Sequence, residues 1–250
     1  MTTLGGTTFV YNAIKLDYNI VETIKCLQEC CDKVVAVVIN SDDGTVEMVK
    51  QLQDAKTKIV VRDKTEWDLI QGRGKLAYFQ NVAASYLDTD YNLLIQADEI
   101  LHEDSYKWVR RAIETGEEGF LVRRIHLWGN PNTQIEVEPS RMPAGFNIIR
   151  LAKTQYESYD DGENIYVPSP NSEFLENIRI YHMGFVRERR KMVDKCNYIQ
   201  KEVFQIEPDA KLNGMQIFEP EKWFAPEDLI PIKEPLPKLI QYWAKERTYE

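Results

Sequence analysis

The chain has 250 residues, 43% of them hydrophobic, with 40 acidic side chains against 31 lysines and arginines, a formal net charge of −9. That length can bury one sizeable core, as a single large domain or a domain with an extension. The acidic balance excludes a protein whose whole surface grips nucleic acid, though not one with a local basic patch. No apolar run reaches the ~20 residues of a membrane-spanning helix.

The N-terminal stretch MTTLGGTTFVYNAIK has no basic head followed by an apolar segment, so no secretion signal is expected. Thr7–Ile14 reads as the first strand. Asp17 is the expected N-cap of a helix on which Ile20, Ile24, Leu27 and Cys31 recur at helical spacing and face a sheet. Cys26 and Cys30 fall elsewhere on that helix. With Cys31 and Cys196 they form no repeated Cys-x-x-Cys pair, so reduced packing thiols in a cytoplasmic setting are expected. Lys33–Ser41 (KVVAVVINS) is a continuous β-branched run, the signature of a parallel strand buried on both faces. Asp42-Asp43-Gly44-Thr45 then turns the chain into a helix reaching about Leu52. Lys58–Arg62 is a third strand, Asp63–Gly74 a loop carrying a packed Trp67, and Lys75–Leu87 a helix.

Tyr91–Ala97 is a fourth strand, and it breaks off into Asp98 and Glu99. Strands alternating with helices in this way imply right-handed crossovers and a largely parallel sheet. Ligands bind outside the carboxyl ends of such strands. Asp98 and Glu99 are therefore candidates for holding a metal ion and, through it, phosphate; ordinary loop acids or the start of a helix explain them as well.

Beyond Asp104 the pattern changes. A helix over Ser105–Thr115 is followed by strands at Gly119–Trp128, Phe146–Ala152 and Ile178–Met183, separated by long loops of the kind that shape pockets. Phe185–Ile206 is helical and carries Arg187, Arg189, Arg190, Lys191 and Lys195, a charge run that most often makes a solvated face. A proline-rich tail from Pro208 ends in a short helix near Lys238–Glu246.

Several segments, in order, resemble the family 2-like nucleotide-sugar glycosyltransferases of the GT-A fold. They are Phe9–Asn12, Asn40–Thr45, Gly74–Asn81, Leu94–Glu103 (LIQADEILHE) and Tyr181–Arg187 (YHMGFVR). The resemblance spans about residues 7–200. It implies a Rossmann-like, mostly parallel sheet flanked by helices, with a nucleotide-sugar half (1–104), a smaller mixed-strand acceptor-side half (105–206) and a C-terminal extension (207–250). One departure stands out: the family's Asp-x-Asp is here Gln96-Ala97-Asp98, a QADE variant whose first acid has become an amide.

The activity so implied is metal-dependent transfer of a sugar from a nucleotide diphosphate sugar, commonly a uridine one, to a hydroxyl, with inversion. Mn²⁺ or Mg²⁺ would be held by Asp98 and His182. Tyr11, Asn12, Asp42, Lys75, Gln96, Ala97, Arg187 and Lys191 would face the donor, Asp42 at the base or ribose and Arg187 with Lys191 at the diphosphate. The general base would be Asp161, with Asp160 and Glu99 in reserve, and Trp128 is a candidate for the sugar pocket. The acceptor would be a glycan or a modified base of viral DNA. A nucleotidyltransferase is the less favoured enzyme, because Asn12–Asp17 has no glycine for a phosphate loop. A non-catalytic sugar- or nucleotide-binding protein with a degenerate site is the reading from outside enzymology.

Overall fold

A computed structural model of the protein describes residues 1–142, 145–205, 211–212, 215–216 and 222–245. Its first half alternates strictly. β1 (Leu4–Val10) is followed by the short α1 (Ala13–Leu16) and by α2 (Ile20–Cys30); then come β2 (Lys33–Ile39), α3 (Thr45–Lys50) and β3 (Thr57–Arg62). α4 (Lys64–Leu69) and α5 (Gly74–Ala84) lead into β4 (Tyr91–Leu94). β4, β1, β2 and β3 lie side by side in that order, all parallel.

The residues explain the layering. Along β2, Val35, Val37 and Ile39 pack with Phe79 and Ala83 of α5, while Ala36 and Val38 pack with Ile20 and Ile24 of α2 and Val46 and Val49 of α3. A strand covered on both faces has no polar side, hence the unbroken apolar run. Cys26 and Cys30 are buried along with Cys31, because α2 is covered a second time by the C-terminal helix; all four cysteines are free and buried.

β5 (Glu99–Leu101) and α6 (Tyr106–Glu114) open the second half, followed by β6 (Gly119–Trp128), β7 (Asn130–Ile135), β8 (Asn147–Lys153) and the two-residue β9 (Ser158–Tyr159) and β10 (Asn164–Ile165). β11 (Arg179–Phe185) precedes α7 (Arg189–Tyr198), which widens into a π-helical turn over Ile199–Val203. β12 (Lys211–Leu212) and β13 (Met215–Gln216) pair with each other, and β14 (Leu229–Pro231) and α8 (Lys238–Lys245) close the described chain. β8 pairs antiparallel with both β4 and β6, so the two halves share one sheet. β11 is held on one side by β6, parallel, and on the other by β5, antiparallel. β14 adds to β7, and Ile240 and Trp243 of α8 join the core beside Cys26 and Leu27. The architecture is thus mixed α/β: a ten-stranded sheet, parallel through its N-terminal half and mixed beyond, flanked by helices.

Several local expectations are corrected. The first strand stops at Val10 because Asn12 and Asp17 both take left-handed backbone, at φ 55° and 57°, which short polar side chains tolerate best. Asp17 therefore ends α1 instead of capping α2, whose N-cap position is Asn19. The stretch Asp63–Gly74 is not all loop. Asp63 accepts a hydrogen bond from Thr65 N and starts α4, which buries Trp67. β7 and β14 were not expected from the pattern; β7 carries Asn130, Pro131 and Asn132, residues that ordinarily mark turns.

Candidate functional site

The fourth strand runs out of partners just where the acids begin. Ile95 still donates to Thr7 O (3.0 Å), and then Gln96-Ala97-Asp98 turns away, with Glu99 N donating to Gln96 O (2.9 Å). Thr23 of α2 pins this turn from beneath: its hydroxyl lies 2.9 Å from Glu99 O and 3.3 and 3.4 Å from the carbonyls of Ala97 and Gln96. β11 then fixes what faces it. Met183 N donates to Asp98 O (2.7 Å), and His182 stands in register with Glu99 on one side and with His126 on the other.

This places His182 Nε2 3.7 Å from Asp98 Oδ2. The protonation of the histidine pair follows from its partners. Gly145 O can only accept, so His126 Nε2, 2.9 Å away, carries the hydrogen. Burial, with the Arg124 charge second, holds His126 well below the ordinary histidine range, so it is neutral and its Nδ1 is bare. That Nδ1 lies 2.9 Å from His182 Nδ1, which must therefore donate. The strand bulges between His182 and Phe185, and Gly184 is required there: a Cβ on it would sit 2.3 Å from His182 Nε2 and 3.0 Å from Asp98 Oδ2.

Asp98 has a partner that was not expected. Lys195 of α7 donates to Asp98 Oδ2 (2.8 Å) and to Gly184 O (2.9 Å), and its ammonium lies 4.8 Å from the Tyr18 ring centroid. Burial alone would raise the Asp98 carboxyl; Lys195 and then His182 overcome it and hold the group well below the usual carboxylate range. Burial, with Arg187 second, pushes Lys195 down to about 8.

An ionic cluster adjoins this wall, and one of its members, Glu163, also lines the cavity. Glu99 is fully buried and accepts from Arg150 (2.9 Å), Arg124 (3.3 Å) and Gln96 N (3.0 Å); Glu163 also pairs with Arg124. Arg150 donates to Gly162 O (2.9 Å), and so does the Gln96 amide (3.2 Å). Two carboxylates and two guanidiniums cancel, and the loop that carries Asp161 is tied to the sheet.

A cavity of about 340 Å³ opens in front. Asp98, Glu163, His182, Lys195 and Gln96 are its polar lining, and Tyr11 and Trp67 are among the apolar residues that line it. Polar groups converging on an apolar hollow at strand ends are the usual form of a small-molecule site. Of the residues singled out from the sequence, Tyr11, Gln96, Ala97, Asp98 and His182 are brought to this cavity. The others lie off its wall. Asn12 is buried at the end of β1, and Lys75 lies over the Trp67 ring with its ammonium donating to Glu202 O (3.2 Å). Arg187 is buried, donates to Leu16 O and stacks on Tyr18. Asp42 and Lys191 are exposed, and the neighbouring Asp43 binds Thr45 N (3.0 Å) and Lys15 N (2.9 Å). Glu99 is sealed in its cluster and Asp160 pairs with Arg73 (2.8 Å). Asp161 is half-buried with no ion-pair partner among the described residues, and burial, then Glu163, raises its carboxyl. Trp128 packs on Phe185 and Phe224, outside the cavity wall.

Among the described residues no three His, Cys, Asp or Glu side chains converge as a metal site. The donor pair nevertheless suits a hard divalent ion. Such an ion is often held by one or two protein groups plus substrate phosphates, and a metal-ligating histidine commonly donates its other N–H, as His182 does to His126.

No protein-family model matches the chain, and no curated protein does. Among solved structures, the chain is similar to S. aureus TarS 1-349 in complex with UDP, at 13% identity and a TM-score of 0.44 over 85% of this chain and 68% of that one. It is similar to the inositol-1-phosphate CTP transferase from T. maritima at 12% identity and 0.40, over 73% and 86%. For glucosyl-3-phosphoglycerate synthase from Mycobacterium tuberculosis in complex with Mg²⁺ and UDP the figures are 20% and 0.36, over 50% and 44%.

Proposed function

We propose that the protein is a glycosyltransferase that takes a nucleotide diphosphate sugar into the cavity at the ends of β1 and β4 and passes the sugar to a hydroxyl acceptor. The observation that carries this reading is that one cavity is lined both by aromatic rings and by charged and polar side chains. The aromatic lining with Tyr11 and Trp67 suits a nucleobase, and the polar lining with Asp98, His182 and Lys195 suits a diphosphate. Mn²⁺ or Mg²⁺, held by Asp98 and His182, would supply charge to the leaving diphosphate. Lys195 faces the same group. Asp161, a nearby carboxylate with no ion-pair partner among the described residues, takes the proton from the acceptor hydroxyl as its oxygen attacks the anomeric carbon. The bond to the diphosphate oxygen breaks on the opposite face, and the anomeric centre inverts. Burial suits Asp161 to this role, because a raised carboxyl holds a proton better. Glycans and modified DNA bases both offer such a hydroxyl.

The test is turnover of nucleotide sugars followed by release of nucleoside diphosphate. Wild type is expected to turn over one nucleotide class, and Asp98→Asn to lose transfer and to weaken Mn²⁺-dependent nucleotide binding. Full activity in Asp98→Asn removes the proposal; nucleotide binding without turnover favours a binding protein.

A further inference from the structure

Lys195 is 6% exposed, while Arg189, Arg190 and Lys191 on the same helix are exposed. It sits among Met192, Cys196 and Ile199 on the face of α7 that lines the cavity. Burying an ammonium costs several kcal/mol unless it is well paired, and here the pairing is specific: Asp98 Oδ2, Gly184 O and the face of Tyr18. An ammonium has three donors and two are used, which leaves one for a cavity ligand.

The charges point the same way. Two acids and a divalent ion balance, and so do one acid and one ammonium. Gln96 stands where the second acid would be, its amide bonded to Gly162 O, and among the described residues Asp98 is left as the single carboxylate at the cavity wall that is not tied to an arginine. Glu99 and Glu163 are neutralised by Arg150 and Arg124, and Arg187 adds positive charge behind Tyr18. An anion is therefore welcome at this wall before any metal ion arrives, and a divalent ion must share Asp98 with Lys195.

We infer that Lys195 is the built-in cation of the donor site. Its ammonium binds the diphosphate directly, so nucleoside diphosphates bind without a divalent ion, and an added ion competes with Lys195 for Asp98. The inference rests on the nucleotide-diphosphate reading above, and goes beyond it in assigning the diphosphate contact to a residue and not to a metal.

The experiment is calorimetric titration with nucleoside diphosphates, in EDTA and in Mn²⁺, of wild type, Lys195→Met and the charge-balanced Asp98→Asn/Lys195→Met. A parallel titration of Mn²⁺ alone is followed by electron paramagnetic resonance. Wild type is expected to bind one diphosphate in EDTA. Both variants are expected to lose about tenfold or more of that affinity, as for removal of one hydrogen bond to a charged group. Lys195→Met is expected to bind free Mn²⁺ more tightly than wild type, because Asp98 is released. The double variant keeps the test valid if an unpaired Asp98 prevents folding. Wild-type binding that appears only with Mn²⁺, or variants that bind as wild type in EDTA, overturns the inference and leaves the donor site standing. No binding of any diphosphate by wild type in either condition overturns the donor site itself.

Discussion

At the scale of single residues, Gly184 and Asp161 are the sharpest points of the account. Gly184→Ala would press a methyl group against His182 Nε2 and Asp98. We expect it to displace the imidazole, lower turnover and cost about 1–3 kcal/mol in urea unfolding, the range for overpacking a filled site. Asp161→Asn should lower kcat by about 10²–10⁴-fold, the usual contribution of a general base, with little change in KM. Because a base must be deprotonated, wild-type kcat/KM should fall as pH drops through a value above that of an ordinary aspartate. That acidic limb should vanish in Asp161→Asn. Asp98 and His182 were legible in the sequence because each lies in a recognisable segment. Lys195 was read as part of a solvated charge run. Its signal was present: Met192, Lys195, Cys196 and Ile199 recur at helical spacing, which puts a charge on an apolar face. Its partner Asp98 lies 97 residues away, and no local pattern encodes that pairing. Thr23 was missed for the same reason, since it acts on a turn more than 70 residues away in the chain.

At the scale of elements, α2, β5, β6, β8 and β11 hold the site. Thr23→Val keeps the shape of the side chain but removes the hydroxyl under the Gln96–Glu99 turn. It should lower stability by about 1–3 kcal/mol, the cost of leaving a buried polar group unsatisfied, and weaken ligand binding along with it. Glu99→Gln should be worse, about 3–5 kcal/mol, because two buried guanidiniums lose the carboxylate they share. Unfolding midpoints in urea check both. The parallel strands were legible because two-sided burial writes an apolar run into the sequence, and β6 was read with its observed limits, Gly119–Trp128. β5 and β7 were not, since a three-residue strand has no periodicity and β7 owes its pairing to β6 and β14.

At the scale of the whole molecule, the cysteines set an alkaline limit. Burial pushes the Cys26 thiol up to about 12 from an ordinary 9.0. The folded state therefore keeps a proton that the unfolded chain releases above pH 9, so stability falls as pH rises from 9 toward 12. The slope from this thiol approaches ~1.4 kcal/mol per pH unit. Urea midpoints at about pH 8 and about pH 10 should differ accordingly, and less so in Cys26→Ala. Function is likewise a property of the whole: the cavity takes its lining from β1 and α4, from the turn after β4, from β11 and from α7. The most direct measurement is calorimetric titration of the wild-type protein with uridine, guanosine, cytidine, adenosine and thymidine diphosphates. Saturable, one-site binding of one of them, whose Mn²⁺-dependent part is lost in Asp98→Ala, is the predicted result. Absence of binding by all five would contradict the donor site and with it the proposed activity.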